Sequence, residues 1–398
     1  MKINVAVFFG CVSVEHEVSI ISGVQAMSNM NKEKYNILPV YVSKDGEMYT
    51  GDPLFDIQNF KDIPLLLKSC TPVTLIRKND SVVLQELNGL FKRRETVVDI
   101  AFPVVHGTNC EDGTLAGLFE FLGLPYVGCN IISSALGMDK AVCKYVLKNA
   151  GIPVLDCVTL RSRDYLLNRK EKEQEITQKI GFPLIIKPVN LGSSVGISKV
   201  KNSEELRKSL ELAFSFADEI LAEHAIENLK EVNCSVLGDY DNCRTSVLEA
   251  PVSHDEILSY EDKYIGKNRG SKSEASKGMA SLSRKIPADI SDDQTAEIKE
   301  IAVRAFKALD CSGVVRIDFM IDRDDNKIYL NEFNTIPGSL AFYLWEASGV
   351  KYCDMIDELI DIAYRKKRAK NDLMFTIDTN ILSGVKSFGA KGSKGGKL

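Results

Sequence analysis

The sequence predicts a protein of mixed α/β and α+β class, in several domains, with an open parallel sheet in the N-terminal one. Three observations predict it. The chain starts on a nearly continuous apolar run, INVAVFF at residues 3–9, followed by Gly10 and a helical stretch. A strand apolar on both faces belongs inside a parallel sheet covered by helices. A length of 398 residues is more than one hydrophobic core usually fills. Near the other end, VVRIDFMIDRDDNKIYLNEFNTIPG at 314–338 alternates apolar and polar residues on two arms around Asp324-Asp325-Asn326, the pattern of an antiparallel hairpin.

Composition narrows the function classes. Hydrophobic residues make up 44% of the chain and charged residues 26%, as in an ordinary soluble globular protein. A net charge of −5 and a pI near 5.6 point away from a nucleic-acid partner. No charge-free apolar run reaches membrane-spanning length, and because the first residues read directly as a strand, no signal peptide is expected. The ten cysteines are scattered, without a CxxC or a Cys/His cluster. They are expected to be reduced thiols in a cytoplasmic protein, with neither a disulfide framework nor a zinc site.

In chain order, residues 10–19 (GCVSVEHEVS) form a strand-to-helix loop, the usual place for ligand contacts at the carboxyl edge of an open α/β sheet. The loop lacks GxGxxG, so a dinucleotide fingerprint is not supported. Glu15, at the start of a helix over 15–30, either meets the helix dipole or binds a ligand ammonium. Residues 35–42 read as a second strand; 45–96 are weakly patterned. A strand over 97–105 runs into HGTNCEDG at 106–113, with His106 at the strand end and Gly113 opening a helix to Leu122. Residues 131–150 carry helical periodicity up to the stop signal Gly151-Ile152-Pro153. Lys140 and Lys144 lie four apart on one face of that helix, where lysines are usually solvated.

A second domain begins near Pro153, with a charged helix over 161–179. FPLIIKPV at 182–189 is an apolar strand that carries Lys187, and the glycine-rich turn NLGSSVGISKV follows at 190–200. A lysine inside a buried strand is unfavourable unless it meets an anion. The Gly-Ser-Ser-Val-Gly loop, with Ser193 and Ser194, offers backbone N–H groups and hydroxyls to a phosphate, although it is not a Walker motif. Strands are expected at 219–226, 230–238 and 244–253. Residues 259–286 are rich in Gly, Ser and Lys and read as a long loop, either a lid that closes over phosphates or an insertion. Residues 291–309 form an amphipathic helix with Ser291 and Gln294 at capping-box spacing. Helices are expected again at 340–350 and 352–367, then a basic, glycine-rich tail.

The hairpin carries the most chemistry. Alternation puts Arg316 and Asp318 on one face and Val315, Ile317 and Phe319 on the other. With Arg323 and Lys327 flanking the turn, Asp318 falls opposite Glu332 and Arg316 opposite Asn334. Opposed carboxylates repel across strands, and a divalent cation between them removes the conflict. Asp, Glu and Asn supply oxygen donors, the set suited to magnesium. The alternative is a polar face that simply meets water.

Taken together, the motifs resemble the D-alanine–D-alanine ligases of the ATP-grasp superfamily. EHEVS (15–19), HGTNCEDG (106–113), PYVG followed by MDK (125–140), IIKPVNLGSSVGISKV (185–200), EDKY (261–264), RIDF (316–319) and NEFNTIPG (331–338) occur in family order. The resemblance runs from about residue 3 to 367. It implies a three-domain ATP-grasp fold: an N-terminal domain over 1–130 that binds the first D-alanine, a central subdomain over 131–225, a C-terminal subdomain over 226–370, and a tail over 371–398.

The implied chemistry is ATP-dependent. ATP phosphorylates the carboxylate of one D-alanine, and the amine of a second displaces the phosphate, giving D-alanyl-D-alanine for peptidoglycan precursors. By similarity, Asp318, Glu332 and Asn334 hold two magnesium (or manganese) ions. Lys144, Lys187 and Lys263, with Ser194, meet phosphate oxygens, and Glu223 and Glu231 contact adenine and ribose. Arg316 and the Gly338 amide stabilise the oxyanion. Glu15 binds the first ammonium and is linked through Ser193 to Tyr264. His106 lies near the first carboxylate, and Ser339, Tyr343 and Leu344 lie around the acceptor. A tyrosine at the Tyr264 position goes with dipeptide formation. Two departures stand out: SLAFYLWEASG at 339–349 puts Tyr343-Leu344 where Ser-Leu is usual, and the lid carries extra residues at 268–283. The resemblance also implies a cytoplasmic homodimer acting on small molecules, with no nucleic-acid or membrane partner. The alternatives are the same fold with D-serine or D-lactate as acceptor, and a non-catalytic ATP-binding regulatory module.

Overall fold

The computed structural model describes residues 2–88, 93–192, 195–252, 284–376, 379–380 and 383. The N-terminal unit opens with β1 (Ile3–Gly10), α1 (His16–Asn29) and β2 (Tyr35–Val42), as the sequence predicts. The poorly patterned stretch that follows contains β3 (Met48–Thr50), α2 (Ile63–Lys68), β4 (Thr71–Lys78) and β5 (Ser81–Glu86). The single strand expected over 97–105 is two, β6 (Glu95–Val98) and β7 (Ile100–Pro103), separated at Asp99. Asp99 bonds back to Asn4, its carboxylate accepting from the Asn4 N–H at 2.7 Å. These strands form one seven-stranded sheet in the order β6-β5-β4-β3-β2-β1-β7. Only β2, β1 and β7 are parallel; the rest is an antiparallel extension.

Next come α3 (Thr114–Leu122), α4 (Ile131–Met138) and α5 (Lys140–Asn149). One continuous helix was expected over 131–150. It breaks at Asp139, whose backbone is extended and whose carboxylate accepts from the Val142 N–H, an N-cap for α5. The central unit holds β8 (Cys157–Arg161), α6 (Ser162–Leu167), α7 (Arg169–Lys179), β9 (Leu184–Pro188), β10 (Ser198–Val200), α8 (Ser203–Phe214) and β11 (Glu219–His224). Its four-stranded sheet runs β10-β9-β11-β8, over a core that includes Leu160, Tyr165, Ile186 and Leu206. The charged helix expected over 161–179 is split at Asn168.

The C-terminal unit has β12 (Leu229–Gly238), β13 (Cys243–Pro251), β14 (Arg284–Lys285), α9 (Asp292–Ala308), β15 (Gly313–Asp322) and β16 (Ile328–Asn334). They build a five-stranded sheet in the order β14-β13-β12-β15-β16. The Ser291–Gln294 capping box forms as expected. Ile298, Ile301 and Phe306 of α9 pack on Val232, Ile317 and Phe319, and Cys143 and Leu147 of α5 join that core. Residues 253–283, most of the expected lid, lie outside the described residues.

After β16, the chain does not enter a helix at 340. Ser339, Leu340 and Ala341 have φ of 50°, 56° and 50°, a left-handed turn, before α10 (Phe342–Ala347) and α11 (Tyr352–Asn371). Such a backbone is disfavoured in L-residues by roughly 1–2 kcal/mol each. The turn is held by burial of Leu340 and Ala341 and by a bond from the Leu340 N–H to Pro337 O at 2.7 Å. Helix α11 then packs Met355, Ile356, Leu359 and Ile360 against Val5, Val7 and Phe102 of the first sheet. All ten cysteines are unpaired. Among the described residues, no helix is long and apolar enough to cross a membrane.

Candidate active site

The β15–β16 hairpin places its polar face as the alternation predicts, by a route the sequence did not reveal. Asp318 pairs with Glu332 and Arg316 with Asn334. Nearer the turn, Phe319 pairs with Leu330 and Met320 with Tyr329, one residue out of step. A β-bulge at Asp318/Phe319 absorbs the difference, so Asn331 and Glu332 together oppose Asp318. The Arg316 guanidinium donates to both Asp318 oxygens at 2.7 and 2.9 Å, and Asn334 Nδ2 donates to Asp318 Oδ2 at 3.1 Å. Burial opposes the Arg316 charge, and the Asp318 carboxylate more than offsets it. Glu332 faces Lys140 at 3.8 Å.

Among the described residues, no group of three or more His, Cys, Asp and Glu side chains could hold a metal by itself. The hairpin set is two carboxylates and an amide, all oxygen donors. That suits magnesium, which takes few protein ligands and completes its shell with phosphate and water.

Three lysines converge beside this face. Lys144 of α5 lies 2.8 Å from Glu223 Oε2, and Lys187 of β9 pairs with Glu223 Oε1 and donates to Asn331 Oδ1 at 3.2 Å. Lys140, in the first turn of α5, donates to Leu191 O at 2.7 Å, in the glycine-rich loop. All three lysines and Glu223 are buried, whereas lysines four apart on a helix face are usually solvated. Burial pushes the Glu223 carboxyl up, but the Lys144 and Lys187 ammonium groups override this and hold it down at about 2. Lys140, Lys144 and Lys187 thus bring three ammonium groups beside Glu223 and Glu332, cations of the kind a polyphosphate meets. Glu231 is exposed on β12 opposite Met320, on the same sheet face as Asp318. Ser193, Ser194, Lys263 and Tyr264 lie outside the described residues.

Glu15 sits at the start of α1, buried, where two glycine loops close on its carboxylate. A Cβ on Gly192 would lie 2.8 Å from Glu15 Oε2; one on Gly107 would lie 3.0 Å from it and 2.2 Å from Ser13 Oγ. A side chain at either position would push the Glu15 carboxylate or the Ser13 hydroxyl aside. His106 is also buried, and its two ring nitrogens are engaged inside the protein. Nδ1–H donates to Ile336 O at 2.8 Å, and Nε2 accepts from the Ser22 hydroxyl at 3.0 Å. Burial lowers its pKa, against the pull of Glu15, so the ring is neutral. Ser22 Oγ in turn accepts from the Ser339 N–H at 3.0 Å. Gly338 and Ser339 are thereby tied to α1 through the turn after β16.

At the far end, Tyr343 of α10 donates its hydroxyl to Glu249 Oε1 at 2.8 Å, and burial pushes its phenol up. Leu344 is completely buried and presents no side-chain surface to a ligand.

A family model of the D-ala D-ala ligase N-terminus matches residues 4–129, and a model of the D-ala D-ala ligase C-terminus matches residues 146–361. The chain belongs to the D-alanine–D-alanine ligase family. The D-alanine–D-alanine ligase of Thermosipho melanesiensis is 40% identical over 382 residues, 96% of this chain and 98% of that protein. Among solved structures, the D-alanine–D-alanine ligase of Coxiella burnetii is 31% identical, covers 93% of this chain and 96% of its own, and superposes with a TM-score of 0.78. The VanG D-Ala:D-Ser ligase of Enterococcus faecalis is 32% identical, covers 91% and 100%, and has a TM-score of 0.74.

Within this ligase, sequence reasoning missed several residues that hold the site together. Glu111 is the most connected: Oε2 accepts from the Gly107 N–H at 2.9 Å, and Oε1 from the Ile336 N–H at 3.0 Å and the Thr335 hydroxyl at 3.3 Å. Burial, then the charge of Glu15, pushes it up to about 7 despite those donors. Its place in HGTNCEDG was a signal, but a carboxylate in a loop gives no hint of a partner more than two hundred residues away. Asn331 and Lys140 were quoted in motifs without a role. Glu249 and Arg284 stood outside every motif.

Proposed function

We propose that this ligase joins two D-alanines into D-alanyl-D-alanine through a D-alanyl phosphate. The observation that carries the reading is the meeting of the Asp318/Glu332/Asn334 face with Lys140, Lys144 and Lys187 around the Asn331 bulge. That meeting lies in a chain whose full-length relatives are named D-alanine–D-alanine ligase. Phosphoryl transfer needs positioning and charge neutralisation, and this cleft supplies both.

ATP lies with its phosphates among the lysines. Glu223 and Glu231 receive the nucleoside, and Ser194 and Lys263 complete the phosphate contacts. Asp318, Glu332 and Asn334 would hold two magnesium ions, which would neutralise phosphate charge. Glu15 binds the ammonium of the first D-alanine, with Ser193 and Tyr264 linked to it. The carboxylate of that D-alanine attacks the γ-phosphoryl group, and ADP leaves. The amine of the second D-alanine then attacks the acyl carbon. Arg316 and the Gly338 N–H receive the oxyanion of the tetrahedral intermediate, and phosphate departs as it collapses. His106 and Ser339 keep the Gly338 turn in place, and Tyr343 and Leu344 back the acceptor side. The product suits peptidoglycan precursor synthesis in the cytoplasm, and the working form is a homodimer.

The test is to supply purified protein with ATP, magnesium and D-alanine, alone and with D-serine or D-lactate in competition. ADP, phosphate and D-alanyl-D-alanine in equal amounts are expected with D-alanine alone. Phosphate released only with another acceptor contradicts the acceptor assignment, and ATP binding without turnover contradicts the ligase reading.

A further inference from the structure

The polar face of the C-terminal sheet does not end at Arg316. Directly paired residues of an antiparallel sheet share a face. Asp318 pairs with Glu332 on one side and with Asn233 on the other. Asn233 pairs with Glu249, and Arg284 pairs with Pro251, two residues further along β13. One row of polar groups therefore crosses all five strands: Glu332, Asp318, Asn233, Glu249, Arg284. Its members bond sideways. Asn233 Nδ2 donates to Glu249 Oε1 at 3.0 Å, and Arg284 Nη1 donates to Glu249 Oε2 at 2.9 Å. Tyr343 descends from α10 onto the same carboxylate, and the Arg284 guanidinium stacks over its ring, 4.0 Å from the centroid. The Arg284 and Glu249 side chains are only 10% and 3% exposed.

On the functional reading above, on which this inference rests, phosphates occupy the Glu332–Asp318 end and the oxyanion meets Arg316 in the middle. The acceptor amine adds to the face of the planar acyl carbon held at Arg316, and the polar row continues from there through Asn233 and Glu249 to Arg284. The acceptor is an amino acid whose carboxylate needs a cation. Arg316 holds Asp318 with two bonds and is already assigned to the oxyanion. The guanidinium of Arg284 has five N–H donors in a planar fork.

We propose that Arg284 recognises the carboxylate of the acceptor, and that Glu249 and Tyr343 are positioning residues that hold its guanidinium plane in place. The unit stands in this chain beside the position where Tyr343-Leu344 replaces the usual Ser-Leu. Glu249 orients Arg284, and the Tyr343 ring limits the space left for the acceptor side chain.

The experiment compares two amines. Hydroxylamine intercepts an acyl phosphate as a hydroxamate and carries no carboxylate, whereas D-alanine needs its carboxylate recognised. Wild type, Arg284→Lys and Tyr343→Phe are assayed with ATP, magnesium and D-alanine, with and without hydroxylamine. The ratio of dipeptide to hydroxamate should fall about tenfold in Arg284→Lys, which keeps the charge but loses the fork and the stacking. It should fall in the same direction in Tyr343→Phe, with the half-saturating acceptor concentration raised and that of ATP changed much less. An unchanged ratio in both variants overturns the inference and leaves the ligase reading intact. Neither product from wild type overturns the ligase reading itself. If Arg284→Lys fails to fold, judged by loss of its thermal transition, Tyr343→Phe decides alone.

Discussion

Asp318 lies between two cationic demands. It accepts both bonds of the Arg316 fork and is the carboxylate on which the magnesium assignment rests. Asp318→Asn keeps size and shape while removing the charge. ATP turnover should fall by about a thousandfold with an unchanged circular-dichroism spectrum; turnover within about tenfold of wild type would remove Asp318 from the metal site. Glu223 makes a stability prediction. Glu223→Gln leaves Lys144 and Lys187 buried against a neutral amide, a change that costs about 3–5 kcal/mol when a buried pair is broken; denaturant unfolding checks it. Glu111 makes a pH prediction. Its folded pKa is raised to about 7, so the folded state binds its proton more tightly than the unfolded chain does. That stabilisation is complete below the ordinary carboxylate range and is lost as pH rises to about 7. Glu111→Gln should remove this part of the decline in unfolding free energy, and an unaltered pH slope would contradict the assignment. At this scale, alternation was enough to set Asp318 opposite Glu332. The burial of Lys140 and Lys144 was not legible, because helical periodicity says which residues share a face and not what covers it.

Elements were legible where one physical signal dominated. The apolar run of β1, the capping box of α9 and the alternating arms of β15 and β16 each announce themselves within a short window. The breaks were not legible, because distant contacts impose them. Helix α5 separates from α4 where the Lys140 N–H donates to Val189 O at 3.0 Å, at the end of β9. Asp139 then caps the new helix, and Asp139→Ala should lower stability by about 1 kcal/mol, measured by chemical denaturation. The bulge was hidden for a similar reason. A hairpin counted outward from its turn gives one register, and only packing of Phe319 and Leu330 into the core shows the slip. The extra residue puts Asn331 against Lys187, so Asn331→Ala should raise the half-saturating ATP concentration several-fold, in line with loss of one hydrogen bond to a charged group. Unchanged ATP dependence would mean that the bulge is only a packing device.

Across the whole molecule, the candidate site draws its residues from three sheets and the loops at their edges. The first sheet brings Glu15 and the His106 loop, the central unit brings Lys187 and Glu223, and the C-terminal sheet brings the carboxylates and Arg316. Helix α11 carries the chain back onto the first sheet, and Glu111 and His106 bond to the turn after β16. The ordered motifs made this assembly legible as a family resemblance, while the antiparallel half of the first sheet, in weakly patterned sequence, was not. The most direct test of the account supplies D-alanine with isotopically heavy carboxyl oxygens, together with ATP and magnesium, and weighs the released phosphate. Activation of the carboxylate by ATP predicts one heavy oxygen in each phosphate, with dipeptide formed in equal amount. Phosphate that carries only ordinary oxygen would mean that no acyl phosphate forms, and would contradict the account at its centre.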